Sequence, residues 1–157
     1  MSADALEQFA TYFDTMLADL SPAKRKAVAR KIGQRLRRLN AQRMRANVEP
    51  DGAAMAPRKK RLREKSKPGR GRRMFREIGK ARNLRVRPSE DGVEIGFANP
   101  GTGRVAVEHH FGLDGRVGRT RAGRMIRTRY TARRLLGFGA QDIDAVTDEL
   151  LAWLDRG

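Results

Sequence analysis

Apolar side chains recur with helical spacing at the start of the chain. Over residues 1–20 they form one stripe at intervals of three and four residues, and this spacing predicts an amphipathic N-terminal helix. The stripe consists of Leu6, Phe9, Phe13, Met16, Leu17 and Leu20. Ser21 and Pro22 then form a helix start signal, because serine caps a first turn and proline is favoured at its first position. A second helix is therefore predicted from Pro22 to about Asn47, and the short link favours an antiparallel helix pair over residues 1–48.

The second helix is predicted to bury one narrow face. Its apolar positions are Val28, Ile32, Leu36 and Leu39. Cations, Arg43 among them, occupy much of the remaining surface, so we expect them on the solvated side. A C-terminal amphipathic helix is predicted from about Ala140, with Asp142 in its first turn, where the helix dipole favours anions. Its apolar positions are Ile143, Val146, Leu150, Trp153 and Leu154.

The middle of the chain carries strand signals. Apolar and polar residues alternate over 84–87 and over 93–97, and the turn residues between these runs predict a β-hairpin. Residues 125–130 are predicted to return a third strand to this hairpin. Residues 105–111 fit either a strand or two helical turns, and both alternatives remain open.

Two short segments complete the pattern. Met74, Phe75 and Ile78 form an apolar patch that predicts one or two helical turns. Residues 99–103, with the sequence Asn-Pro-Gly-Thr-Gly, are predicted to be a loop.

The predicted fold class is therefore α+β, in a single domain spanning residues 1–157. It consists of the N-terminal antiparallel helix pair, a long basic loop, a small antiparallel sheet of a hairpin plus a third strand, and the C-terminal helix. The predicted parts are the helix pair over 1–48, a mobile basic loop over 49–73, a short helix with the β-sheet region over 74–138, and the C-terminal helix over 139–157.

Charge changes this picture most in the middle of the chain. The net charge is +17, yet residues 1–20 carry four acids and no base, and residues 88–157 carry ten of each. The excess lies in residues 21–87, and within it residues 58–76 hold eleven bases and one acid, Glu64. Such a field indicates an anionic partner, which is nucleic acid, an acidic protein surface or anionic lipid, although an idle solvated loop is the plain alternative. The candidate contact residues are Arg58, Lys59, Lys60, Arg61, Arg63, Lys65, Lys67, Arg70, Arg72 and Arg73.

Candidate chemistry is sparse. The chain has no cysteine and only two histidines, His109 and His110, whose adjacency sets them about 100° apart on a helix and on opposite faces of a strand. We therefore expect no metal site, no cofactor, no small-molecule substrate and no catalytic residues. No run approaches the ~20 apolar residues of a membrane span, and no secretory signal is apparent, so we expect no membrane partner and a soluble protein that is intracellular where it is made.

Several short motifs occur in an order that is specific when taken together. They are Pro50-Asp51-Gly52, Pro57-Arg58-Lys59, the basic run into Met74-Phe75, Val93-Glu94-Ile95-Gly96-Phe97, His109-His110-Phe111-Gly112-Leu113 and Thr131-Ala132-Arg133-Arg134-Leu135-Leu136-Gly137-Phe138, with Asp142 shortly after. In this order, and behind a predicted helix pair, they resemble the tail completion, or virion morphogenesis, family of contractile-tailed bacteriophages. The resemblance spans nearly the whole chain.

The resemblance implies a structural protein of the virion, not an enzyme. It implies action at the head-proximal end of the tail, in the neck, to finish the tail and support head–tail joining, as a ring of copies around the DNA channel. A hexamer is one candidate for that ring, and the implied partners are tail terminator or tube proteins and head-connector proteins, with non-specific contact to channel DNA. The implied assembly motif comprises His109, Phe111, Gly112, Arg133, Leu135, Leu136, Gly137 and Phe138.

Two positions depart from the family pattern. Relatives often have glutamine where this chain has His110 and serine where it has Gly139, so the hydrogen bonds of those side chains are in question here. The alternative function from the residues alone is a non-specific nucleic-acid-binding protein that uses residues 58–76. Without base-stacking aromatics beyond Phe75, that segment offers phosphate contacts only.

Overall fold

The computed structural model describes residues 11, 14–15, 20–58 and 74–155 of the 157-residue chain. Over these residues the fold is α+β, with three α-helices and two small antiparallel sheets. The elements in chain order are α1 (Pro22–Ala46), a 3-10 turn (Ala81–Asn83), β1 (Leu84–Pro88), β2 (Val93–Phe97), α2 (Pro100–His110), β3 (Asp114–Arg119), β4 (Met125–Arg129) and α3 (Ala140–Leu154). The predicted N-terminal helix, and with it the helix pair, lies outside the described residues apart from Thr11, Asp14, Thr15 and Leu20. We call residues 58–76 the basic segment, and its residues 59–73 also lie outside the described residues.

Helix α1 begins and ends where the sequence predicts. The Ser21 side chain accepts a hydrogen bond from the Lys24 amide at 3.4 Å, with Pro22 at the first helical position. Asn47 ends the helix in a left-handed conformation, φ 57°, and its amide bonds back to carbonyls of the last turn. Val28 and Leu36 are buried as predicted.

The prediction that Arg43 lies on the solvated side is wrong. Arg43 is buried, because it shares a helix face with Leu36 and Asn40, and this face is covered by α3 and by the segment that precedes α3. The apolar face predicted for α3 is also displaced. Asp142 and Ala145 are its buried residues, whereas Ile143 is 62% exposed.

The predicted hairpin is confirmed as β1 and β2, which pair antiparallel with Leu84 opposite Phe97 and Val86 opposite Ile95. Helix α1 packs against this hairpin at Gly33, where an added Cβ would lie 2.4 Å from Val86 Cγ1. The sheet and α1 enclose one core. Its buried members are Ala41, Met44, Met55, Leu84, Ala106 and Leu135.

The loop prediction for residues 99–103 is wrong. Asn99 caps α2 by accepting a hydrogen bond from the Thr102 amide at 2.7 Å, and Pro100 occupies the first helical position. Asn99-Pro100 is the same kind of helix start signal as Ser21-Pro22. Gly101 and Gly103, which follow, favoured the loop prediction instead. The open alternative for residues 105–111 is settled by α2, which is helical through His110.

The third strand does not join the hairpin. Residues 125–129 form β4, which pairs with β3 in a separate sheet, through a five-residue connection. β3 was missed because Val117 is its only large apolar side chain, so no alternating pattern marks it. The apolar patch at residues 74–78 forms one turn over 76–79, closed by the Gly79 amide, which donates to the Phe75 carbonyl at 2.6 Å. This is the shorter of the two predicted lengths, and Phe75 has φ 60°. None of the described helices is long and apolar enough to cross a lipid bilayer.

Candidate functional site

An irregular segment over residues 131–139, which we call the strap, contains most of the implied assembly motif. It leaves β4, passes along the end of α2 and the turn at residues 49–57, and reaches the start of α3. The strap has no regular secondary structure, so several of its backbone groups bond instead to side chains of neighbouring elements. The strap is therefore the place where separate parts of the chain meet.

Arg133 is the buried side chain at the centre of the strap, with 4% of its surface exposed. Its guanidinium donates three hydrogen bonds to backbone carbonyls, from Nε to Ala56 at 2.7 Å, from Nη2 to Pro57 at 2.8 Å and from Nη1 to Thr131 at 3.1 Å. Burial lowers the pKa of Arg133 below its ordinary value, and Glu49 opposes that shift. A planar fork of five donors matches several carbonyls at once, which a lysine ammonium does not.

Arg134 points the other way and is half exposed. It forms ion pairs with Glu49, at 2.9 Å, and with Asp51 in the turn that follows α1. The hydrogen bond from Ala53 is the main reason that the pKa of Asp51 is lowered, and Arg134 adds to it. Consecutive arginines therefore clamp the same turn, one through its backbone carbonyls and one through its carboxylates.

The next residues attach the strap to helices α1 and α2. Leu135 is buried, and its amide donates to Nδ1 of His110 at 3.2 Å. The Gly137 amide donates to the Asn40 side chain at 3.4 Å, and the Gly137 carbonyl accepts from Arg43 at 3.1 Å. Two side chains of α1 and one of α2 thus hold the backbone of the strap in place.

A buried ion pair closes the end of the strap. Arg43 Nη1 lies 2.5 Å from Asp142 Oδ2, with both side chains at most 9% exposed. The same carboxylate oxygen accepts from the Gly139 amide at 2.8 Å. Gly139 has no side chain to cap α3, so Asp142 fixes the start of the helix instead.

The glycines of this site allow close backbone approach. An added Cβ at Gly139 would lie 1.9 Å from the Pro50 carbonyl oxygen, and one at Gly137 would lie 2.8 Å from Pro50 Cγ. Gly112 has φ +66°, and its Cβ would lie 2.9 Å from the Ala132 amide nitrogen. Only glycine meets both demands at Gly112 without strain.

His109 connects the strap to the far end of the basic segment. Its carbonyl accepts from the Arg133 amide at 2.8 Å, and its ring packs edge-on to Phe75, 5.0 Å between centroids, and on Tyr130 at 4.0 Å. Burial first, and Arg133 second, lower the pKa of His109. Because Arg133 binds Ala56 and Pro57 while His109 contacts Phe75, both ends of the basic segment are anchored to the same pair of residues.

The structure thus brings together most of the implied assembly motif. His109, Gly112, Arg133, Leu135 and Gly137 take part in the strap and its contacts, and Leu136 packs against the core. Phe111 and Phe138 are instead 65% and 72% exposed. Of the predicted contact residues Arg58 is described, and it is exposed, while Lys59, Lys60, Arg61, Arg63, Lys65, Lys67, Arg70, Arg72 and Arg73 lie outside the described residues.

Sequence reasoning missed the roles of Arg43, Asn40 and Pro50. Their signal is weak, because a buried polar residue on a basic helix looks like any other member of its polar face. Within the part of the chain that the structure describes, no group of three histidines, cysteines or carboxylates is placed to hold a metal ion.

The fold and this site define a small α+β protein whose strap fixes the turn after α1, the end of α2 and the start of α3 relative to one another. The chain belongs to the phage virion morphogenesis family, whose sequence profile matches residues 4–155. It is similar to Tail completion protein S of Escherichia phage P2, with 30% identity over 141 residues that cover 90% of this chain and 91% of the relative. No solved structure matches the chain.

Proposed function

We propose that this protein is a structural component of a phage virion that completes the tail at its head-proximal end and supports head–tail joining. The observation that carries the proposal is the end-to-end similarity to a tail completion protein, 90% of one chain against 91% of the other. A match of this extent includes the strap and both anchors of the basic segment. The protein acts, on this proposal, by binding other virion components and not by catalysis.

The arrangement of the strap supports an assembly role. Arg133 and His109 hold the two ends of the basic segment to the folded body. A cationic segment whose two described ends are held on the folded body suits docking against an acidic partner surface or against DNA in a channel. We propose a ring of copies at the neck, with a hexamer as one candidate, in contact with tail terminator or tube proteins and with head-connector proteins.

A defined null of this gene in the phage that encodes it tests the tail role. We expect DNA-filled heads and separate tails to accumulate in the lysate, and a plasmid copy of the wild-type gene to restore joined particles. Negative-stain microscopy counts the DNA-filled heads, the separate tails and the joined particles. Joined, infectious particles at the wild-type yield in the null lysate would contradict the proposal.

The same complementation assay tests the basic segment. Reversal of Lys59, Lys60, Arg61 and Arg63 to glutamate removes four of the eleven cations of residues 58–76. We expect this variant not to restore joining, because its partner is anionic. The matched control reverses Lys24, Lys26, Arg38 and Arg85, exposed cations of the folded body, and is expected to restore it. Normal joining by the first variant would remove the basic segment from the proposal.

A stand-alone nucleic-acid-binding protein is the second candidate, favoured by the eleven bases and one acid of residues 58–76. The two functions separate in a binding experiment on the purified protein with duplex DNA of mixed sequence at about 150 mM salt. Sub-micromolar affinity with a log–log salt slope near −7, for about eight neutralised phosphates, favours this candidate. Negligible DNA binding together with attachment to purified tails favours the tail protein.

A further inference from the structure

The β3–β4 hairpin extends into solvent for most of its length. Near its base Gly115 is buried, and an added Cβ there would lie 2.3 Å from Tyr130 and 2.4 Å from the Glu108 carboxylate of α2. Beyond this point both strands are exposed. Val117, Met125 and Ile126 are 52%, 37% and 41% exposed, respectively, so three large apolar side chains meet water on the outer half of the hairpin.

This hairpin is also strongly cationic. Residues 114–130 hold six arginines and one carboxylate. Arg116 lies directly opposite Arg127, an arrangement that destabilises a strand pair because like charges face each other. Among the described residues no carboxylate lies within ion-pair distance of Arg116, Arg119 or Arg127. These charges therefore do not stabilise the hairpin in the isolated chain.

The exposed apolar side chains favour a protein partner over a phosphate backbone. Protein interfaces place apolar side chains at the centre and polar groups at the rim, whereas phosphate contacts require cations alone. Residues 114–129 also contain no aromatic side chain on which a nucleic-acid base would stack. The partner surface should combine carboxylates with exposed aliphatic groups.

The outer face of α3 has this composition. Residues 140–155 carry five carboxylates and no cation, and all of these carboxylates except the buried Asp142 lie toward the surface. Asp148 and Glu149 also pair with Arg35 of α1, so Asp144 and Asp155 are the carboxylates of this face with no ion pair among the described residues. Asp144, Asp148, Leu151 and Asp155 recur at intervals of three and four, so they form one exposed stripe, and Leu151 within it is 47% exposed. The equal counts of acids and bases over residues 88–157 thus conceal two opposite surfaces, a basic hairpin and an acidic helix.

We propose that the β3–β4 hairpin of one copy docks on the outer face of α3 of a second copy. The two surfaces are different, so the contact is head-to-tail, and such contacts generate a ring when the rotation between neighbours closes. Arg116 and Arg127 would face Asp144 and Asp155, with Leu151 against the apolar side chains of the hairpin. This inference rests on the ring in the proposed function and names the surfaces that form it.

A charge-swap experiment on the full chain tests the interface. The first variant carries Arg116→Glu and Arg127→Glu, which keeps like charges across the strands, so its own folding is little changed. The second carries Asp144→Lys and Asp155→Lys, and the third combines all four substitutions. We expect each pair alone to raise the dissociation constant by about tenfold or more, and the third variant to recover most of the loss, because opposite charges face each other again. Sedimentation velocity over a concentration series measures the association.

The matched control is Lys26→Glu with Arg85→Glu, which changes the net charge as the first variant does but lies on the folded body, and it should associate like the wild type or better. If circular dichroism shows that either variant is unfolded, the single substitution Arg119→Glu replaces the hairpin pair and Asp144→Ala replaces the α3 pair. A wild-type chain that is monomeric up to about 100 μM, or a third variant that is no better than the first two, would overturn the interface. The interface would also be overturned if the first variant bound duplex DNA more weakly than the wild type while its self-association was unchanged. The null-phage test of the tail role is independent of all these results, so the interface and the tail role are tested separately.

Discussion

Arg133 is a buried cation whose described hydrogen-bond partners are all backbone carbonyls. Burying a charge is costly unless its donors are satisfied, so the three carbonyls from Ala56, Pro57 and Thr131 must hold the guanidinium tightly. In return the arginine joins the strap to the segment at Ala56 and Pro57, and no helix or sheet makes that connection. Its contribution to stability therefore depends on the shape of the guanidinium as well as on its charge.

We expect Arg133→Lys to lower the free energy of unfolding by about 2–4 kcal/mol, because a single ammonium nitrogen does not span the three part-buried carbonyls that the guanidinium fork reaches. Arg134→Lys is the control, since Arg134 is half exposed and its ion pairs contribute about 1 kcal/mol or less. Urea unfolding followed by tryptophan fluorescence measures both. Equal effects of the two substitutions would show that Arg133 acts as a surface charge does.

His110 makes stability depend on pH. Its Nδ1 accepts the Leu135 amide, which requires an unprotonated nitrogen, and burial lowers its pKa below the ordinary 6.5. Its contribution is therefore complete above about pH 6.5 and is lost as the pH falls toward the lower pKa of the folded state, because the unfolded chain takes up the proton first. His109, with its pKa lowered in the same direction, adds to this loss.

His110→Gln should preserve the hydrogen bond through the amide oxygen while removing this titration. We expect the variant to be about as stable as the wild type at about pH 8 and to lose less stability on acidification to about pH 5.5. Some loss remains because His109 is still present. Identical slopes of unfolding free energy against pH for the two proteins would contradict the assignment. The same experiment answers the question that the sequence raised at this position, since the histidine here performs a hydrogen-bonding role that glutamine is able to fill.

At the scale of elements, the parts predicted from sequence are those with strong local signals. Ser21-Pro22 set the start of α1, and alternating residues over 84–87 and 93–97 set the β1–β2 hairpin. The start of α2 was missed because glycines obscured its cap, and β3 was missed because Val117 is its only large apolar residue. The strap has no periodicity, so only the motif itself indicated it. Its contacts to Asn40 and Arg43 join residues about a hundred positions apart, and no local pattern carries that information.

The start of α3 shows how a contact between segments overrides a local preference. Serine is the better N-cap by a few tenths of a kcal/mol, so the sequence alone favours Gly139→Ser. In the structure any Cβ there would lie 1.9 Å from the Pro50 carbonyl. We expect Gly139→Ser to lower the free energy of unfolding by about 1–3 kcal/mol, as in other overpacked sites.

The control for this prediction is Gly92→Ser, a glycine with no heavy atom within 4 Å of an added Cβ. It should change stability by no more than about 0.5 kcal/mol. Thermal unfolding and urea titration of both variants give the comparison. A Gly139→Ser protein as stable as the wild type would mean that Pro50 moves away at little cost, and that the strap and the turn at residues 49–57 are less tightly coupled than their contacts indicate.

For the whole molecule, charge is the dominant feature. The chain carries 35 cations against 18 carboxylates, and the ion pairs of the described surface are mostly exposed and therefore weak. The buried Arg43–Asp142 pair is screened far less. Repulsion among the surplus cations thus opposes compaction in the isolated chain, and any anionic surface or dissolved salt that screens it should stabilise the fold.

We expect the melting temperature of the dilute monomer to rise by about 2–6 °C between about 20 and 300 mM NaCl, because screening weakens this repulsion. The variant with Lys59, Lys60, Arg61 and Arg63 reversed to glutamate loses two units of the +17 net charge at each position, so its salt dependence should be shallower. Differential scanning fluorimetry at about 1 μM protein measures both, at a concentration where association is negligible. A melting temperature that falls with salt would mean that favourable surface ion pairs outweigh the excess of cations. In that case the positive charge of the basic segment would not lower the stability of the free protein. Relief of charge repulsion by an anionic partner would then no longer explain why so much positive charge is concentrated there.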